Sequence, residues 1–345
     1  MPYAVTRSGI VVPSRIDPAG RTGPTPAQAR GPRWRSPAHG WHLPADVDGG
    51  QLDQRIVEAV VGTSTESAAA TGWAALAWLG ARWFTGVGAG GRSLDVPVAI
   101  GDRAVARRRP GVMVSQDWLF PGDVVVVDGL PITVPDRSVS WQARRARSLA
   151  SAVCVIDMAA YSDLIDLETF ADHVARLPAR PGVRLLRRAV GLADENAWSP
   201  MEPPMRVLWE LEGRHPKPLS NVPIFNLRGT HLFTPDLFDP IAGVAGEYNG
   251  AGHDGDAPRA RDLDREELAR RVGIETVSMV PKDIGQSGRF LRRLNGAYQR
   301  AAERRDEPRL WTLEQPGWWV DTSTVGARRG LTDEERVRWL RHRMP

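Results

Sequence analysis

The chain has 345 residues, 42% of them hydrophobic and 25% charged; this composition excludes a collagen-like or wholly disordered polypeptide and leaves room for two or three domains. The net charge of +4 rests on arginine, since Lys217 and Lys282 are the only lysines; it suits a nucleic-acid partner, and it equally suits an arginine-rich composition with no such partner. The single cysteine, Cys154, excludes an intramolecular disulfide and a multi-cysteine metal site, and with no membrane-length apolar run and no secretory leader legible, the cytoplasm is the expected compartment.

Residues 1–50 are rich in Pro, Gly and Arg and read as a flexible basic segment. Thr25-Pro26 is a helix-start pair, Arg33-Trp34-Arg35 follows it, and His39 to Pro44 alternates like a short wing. Residues 51–195 read as an α+β domain. Leu52–Val61 and Thr71–Phe84 have helical patterns, Val96–Ile100 and Gly111–Ser115 are strand-like, and Asp128-Gly129 turns a hairpin between two apolar runs. Helices follow from Asp136 to about Tyr161, over Leu167–Leu177 and over Val183–Leu192. Cys154 lies in the apolar run Leu149–Ile156 and reads as a core residue.

A boundary is expected near residue 195. Residues 196–302 then read helix, three strands, helix, strand, helix, an α/β domain with a mixed central sheet flanked by helices. Ser199-Pro200-Met201-Glu202 opens the first helix as a cap, a proline and a capping-box glutamate, and Gly213 is expected to end it after about Glu212. Asn221–Asn226, His231–Phe238 and Gly243–Tyr248 are the strands. Residues 303–345 form a tail whose Trp318 and Trp319 argue for partial docking.

Three carboxylates stand out: Glu202 on the entry helix, Asp236 near the end of the second strand, and Glu247 on the third. A tight turn between those strands makes Asp236 and Glu247 antiparallel neighbours. Adjacent carboxylates repel, and a divalent cation between them relieves this. Each residue also has a plainer reading. Glu202 can serve only the capping box, Asp236 only a turn, Glu247 only an exposed strand position, and Asn249 only the turn at Gly250. His253 can be a loop histidine, and Arg206 and Arg265 solvated helix charges.

The run Pro235-Asp236 … Glu247-Tyr248-Asn249-Gly250 … His253 resembles the PD-(D/E)XK nuclease signature, in the version of the very-short-patch-repair-like endonuclease domains. Glu202 and Arg206 match that family's first helix, and Asp262 and Arg265 match its later Asp-x-x-Arg helix. The resemblance implies a restriction-endonuclease-like fold holding Mg2+ or Mn2+ on Asp236, Glu247 and Glu202. It also implies that Asn249 orients the nucleophile, that His253 assists proton transfer, and that Arg206 and Arg265 contact phosphate or brace the acids. The departure is Asn249, an uncharged residue where nucleases most often have lysine.

The first half resembles AbiEi-type antitoxins of type IV toxin–antitoxin systems in Gln28-Ala29-Arg30-Gly31, Gly72-Trp73-Ala74-Ala75-Leu76 and Pro121-Gly122-Asp123. That likeness implies a winged-helix remnant in which Arg30, Arg33 and Arg35 lie near DNA phosphates, and a cognate toxin as partner. The expected function is therefore a metal-dependent DNA endonuclease with an antitoxin-like first half. The alternative is a DNA-binding regulator whose nuclease-like domain is inactive.

Overall fold

The computed structural model describes residues 3–250 and 256–343, and their side chains except those of Ala89, residues 256–263 and His342. The chain is a mixed α/β protein divided into two compact units, Met1–Gln142 and Ala143–Pro345. No described helix is long and apolar enough to cross a membrane.

In the first unit β1 (Trp34–Ala38) and β2 (Trp41–Pro44) form the expected wing-like hairpin. Only the 3-10 turn Gln28–Arg30 precedes it among the described residues. The segment expected to be flexible is tied down. Arg7 binds Asp53 and Asp128 at 2.9 Å each and lies over the Trp78 ring. Gln54 accepts from the Val11 amide and donates to its carbonyl, both at 2.9 Å.

The helices α1 (Leu52–Thr63) and α2 (Gly72–Trp78) bury Ile56, Val60, Leu76 and Trp78. They pack against a five-stranded sheet of β3 (Ala69–Ala70), β4 (Val96–Ala99), β5 (Val112–Ser115), β6 (Val124–Val127) and β7 (Leu130–Thr133), ordered β5-β4-β3-β7-β6. Asp128 and Gly129 both have positive φ, 49° and 79°, as the tight hairpin turn requires. The helix α3 (Pro135–Arg144) follows.

The second unit opens with α4 (Leu149–Tyr161), α5 (Leu167–Arg176) and α6 (Val183–Val190). The division thus falls at 142/143 rather than near 195. Its cause is packing: α4 lies against α7 (Glu202–Val207), and Asp157 of α4 is ion-paired to Arg206 of α7. α7 runs on through a π-helical turn over Leu208–Glu212 and stops at Gly213, where the sequence placed the end.

Next come β8 (Leu219–Ser220), β9 (Ile224–Asn226), β10 (His231–Phe233), β11 (Leu237–Asp239), β12 (Val244–Tyr248), α8 (Asp256–Arg271), β13 (Glu275–Met279) and α9 (Gly288–Glu303). The main sheet is ordered β13-β12-β11-β8; β12 and β13 are parallel and the other pairs antiparallel. Leu237, Val244, Val277 and Met279 join Met205, Trp209, Phe290 and Leu294 in one core. Phe238, Ala245, Ala269 and Ile274 join a second. Successive strand residues supply different cores because strand side chains alternate between faces.

One expected strand is two. His231–Phe238 breaks at Thr234-Pro235-Asp236, so β10 pairs with β9 while β11 pairs with β12 and β8. Proline has no N–H to give a ladder. The tail docks through β14 (Trp311–Thr312) on β9, then α10 (Val325–Arg329) and α11 (Asp333–Trp339). Trp319 packs on Phe225 and His231, with ring centroids 5.2 Å away in each case.

Candidate active site

Glu202 begins α7 and is only 2% exposed. The expected cap is not formed: the helix starts only at Glu202, after Met201 and with no side-chain cap, so Ser199 and Pro200 lie in the preceding turn and the Glu202 carboxylate reaches back past Ser199. Its Oε2 accepts from the Trp198 amide at 2.9 Å and from Asn221 Nδ2 at 2.6 Å. Asn221 has φ 46°, in the left-handed region that asparagine tolerates better than most residues. Its own amide donates to the Asp236 carbonyl at 3.0 Å. Asn221 therefore ties Glu202 through its side chain and Asp236 through its backbone.

Asp236 lies one step beyond the Leu237–Gly246 pair, which sets it across from Glu247. Its Oδ2 accepts from the Tyr248 amide at 2.7 Å. Burial raises the pKa of Asp236 against the pull of that bond and of Arg265. Burial, and then the charge of Asp236, push Glu202 up to about 8. Two carboxylates withdrawn from water together cannot both ionise cheaply. Arg206 is near enough to sense Glu202, but its charge is matched by Asp157.

Glu247 points to a different partner. Its Oε1 lies 3.3 Å from Arg265 Nη2, and the same nitrogen also donates to the Thr234 carbonyl. Arg265 sits over the Phe233 ring, 5.5 Å from the centroid. It keeps one buried nitrogen, Nε, without a hydrogen-bond acceptor. Asn249 is exposed; its amide donates to the Met279 carbonyl at 2.8 Å and its side chain to Ser278 Oγ at 3.4 Å.

Several expectations are corrected. Arg206 is not a phosphate ligand. It is fully buried, with Nη2 on Asp157, Nη1 on Ser220 Oγ at 3.1 Å and Nε on the Leu192 carbonyl at 3.3 Å. Arg35 is not presented to DNA, because it clamps Glu58 (Nη1–Oε2 2.9 Å) and the Val47 carbonyl. Arg30 and Arg33 are exposed, Arg30 with Nε on the Pro26 carbonyl at 3.1 Å. His253 and the side chain of Asp262 lie outside the described residues. Cys154 is half-buried rather than core, its thiol pushed up to about 12 chiefly by burial.

The three acids do not form one ligand group. Among the described residues no set of three His, Cys, Asp or Glu side chains is arranged to hold a metal ion. The structure brings buried Glu202 and half-buried Asp236 together as a pair and leaves Glu247 beside them, neutralised by Arg265. Oxygen donors of this kind are the chemistry hard dications take, and the raised carboxyl pKa values mark a place where added positive charge is favourable.

Two partners in this site were not read from sequence. Asp157 had a signal, being the lone charge in the apolar helix Leu149–Tyr161. Asn221 had none beyond the proline two residues on. A scan against protein-family models and searches of curated proteins and of solved structures found no match for the chain.

Proposed function

We propose that the second unit is a divalent-metal-dependent phosphodiesterase acting on DNA, with a PD-(D/E)XK-like arrangement of strands and helices. One observation carries this reading: buried Glu202 and half-buried Asp236 stand together with raised pKa values, next to Glu247 in the adjoining strand register. Such a pair is costly unless a cation joins it. Glu202 and Asp236, joined by Glu247 once Arg265 releases it, would hold Mg2+ or Mn2+, which would supply charge neutralisation at a phosphate and acidify water.

The chain's own residues have separable tasks. The Trp198 amide and Asn221 orient Glu202, and the Tyr248 amide orients Asp236. Arg265, released from Glu247, would face phosphate. Asn249 stands two residues past Glu247 and would hold water by hydrogen bonding without charge. The first unit would add DNA affinity through exposed Arg30 and Arg33, and its antitoxin-like character implies a toxin as a further partner.

The test is plasmid nicking in Mg2+ or Mn2+ by the full chain and by Asp236→Ala and Glu247→Ala. Loss of nicking in both variants supports the reading; equal nicking by all three proteins overturns it. A second reading, a DNA-binding regulator without cleavage, is favoured by the Arg265–Glu247 pair and by Asn249. No nicking by the wild type, with salt-dependent DNA binding retained, selects it.

A further inference from the structure

A cavity of about 380 Å3 in the second unit opens beside the acid pair. Three of its wall residues belong to the site itself. Asn221 holds Glu202, Trp198 supplies the other hydrogen bond to Glu202, and Thr234 lies two residues before Asp236. The opposite wall comes from the docked tail, with Trp319, Asp321 and Thr322 among its residues. Docking of residues 303–345 thus completes a chamber that the nuclease-like segment does not enclose alone.

Its walls are of two kinds. Trp198, Trp319, Leu219 and Val222 are flat or apolar. Asp194, Glu195 and Asp321 are hydrogen-bond acceptors fixed by backbone amides: Asn196 N on Asp194 at 2.8 Å, Leu167 N on Glu195 at 2.6 Å and Ser323 N on Asp321 at 2.8 Å. Carboxylates accept well from the amino groups of a heteroaromatic ring, and indoles suit its faces. The volume is within the range of small-ligand sites.

We propose that this cavity receives one unpaired nucleobase of a DNA strand whose phosphate lies at Glu202 and Asp236. The inference rests on the phosphodiesterase reading and names its substrate class: DNA with a nucleotide out of the helical stack. A paired base cannot enter, because its ring faces and amino groups are already occupied in the duplex.

The experiment is fluorescence anisotropy with the full chain in Ca2+ in place of Mg2+ or Mn2+, a hard dication that oxygen donors take, so that binding is read with the acid pair neutralised and any nicking is checked on the same samples. The probes are a fully paired duplex and the same duplex carrying one unpaired nucleotide. The unpaired duplex is expected to bind about tenfold tighter. Trp319→Ala and Val222→Trp, the first removing a wall and the second filling the chamber, should each erase that preference. Ile241→Ala, on an exposed residue that does not line the cavity, should keep it. Thermal unfolding separates misfolded variants from folded ones, and Val222→Trp answers if Trp319→Ala misfolds. Equal affinity of the wild type for both duplexes, or a preference surviving in folded Val222→Trp, overturns the inference. Nicking assays fail separately: a base preference without any metal-dependent cleavage removes the phosphodiesterase reading and leaves the base-binding result standing.

Discussion

The charge on Asp236 raises the pKa of Glu202, a residue 34 positions earlier in the chain, because both carboxyl groups are withdrawn from water on the same side of the sheet end. Asn221 holds the Glu202 carboxylate and the Tyr248 amide holds that of Asp236, so neither can turn away to solvent without breaking a hydrogen bond.

This relationship sets a pH dependence. Glu202 is raised to about 8 from an ordinary value of 4.5, so the folded state holds its proton where the unfolded chain has lost it. Stability without metal should be full below about pH 4.5 and fall as pH rises towards 8, by on the order of 3–5 kcal/mol. Glu202→Gln should flatten that slope in chemical denaturation across pH 5–8. An unchanged slope would show that Glu202 is not the titrating group.

Removal of Arg265 should sharpen cation binding. Its guanidinium neutralises Glu247 at 3.3 Å and lowers the pKa of Asp236, so it competes with any dication for the same oxygens. Arg265→Gln is expected to bind Mn2+ about tenfold more tightly in titration calorimetry. Equal or weaker binding would show that the arginine does not compete there.

The Asp157–Arg206 pair should be a stability element rather than a DNA contact. Breaking a buried pair from one side leaves the other charge unmatched, at about 3–5 kcal/mol. Arg206→Met should lower the denaturation midpoint accordingly, and at temperatures where it stays folded its DNA affinity should match the wild type.

Gly246 should tolerate no side chain. A Cβ there would sit 2.8 Å from Trp209 Cζ3. Trp209 is fully buried and donates from Nε1 to Tyr298 at 3.0 Å; Tyr298 in turn donates to Asp239 Oδ2 at 2.7 Å. Gly246→Ala should cost about 1–3 kcal/mol in chemical denaturation. No loss would mean that the Trp209 ring shifts freely.

In the first unit, Arg33→Ala should weaken DNA binding evenly across sequences and lower the salt slope by about 1. Arg35→Ala should act on stability instead, through loss of its grip on Glu58 and Val47. The reverse pattern would mean that Arg35 is the one facing phosphate.

Local patterns settled much of this protein in advance. The Asp128-Gly129 hairpin, the helix stop at Gly213 and the Asp236/Glu247 register follow from turn chemistry, helix termination and strand period, all of which act within a few residues. What these rules could not supply is contact between distant segments. Asp157 meeting Arg206 moved the unit boundary to 142/143, the break at Pro235 sent β10 and β11 to different sheets, and Glu58 took Arg35 away from any phosphate. At Pro235 the cause is the N–H that proline lacks; for the two ion pairs it is desolvation: a charge taken from water must find a partner, and which partner is within reach depends on how the chain packs rather than on the residues beside it.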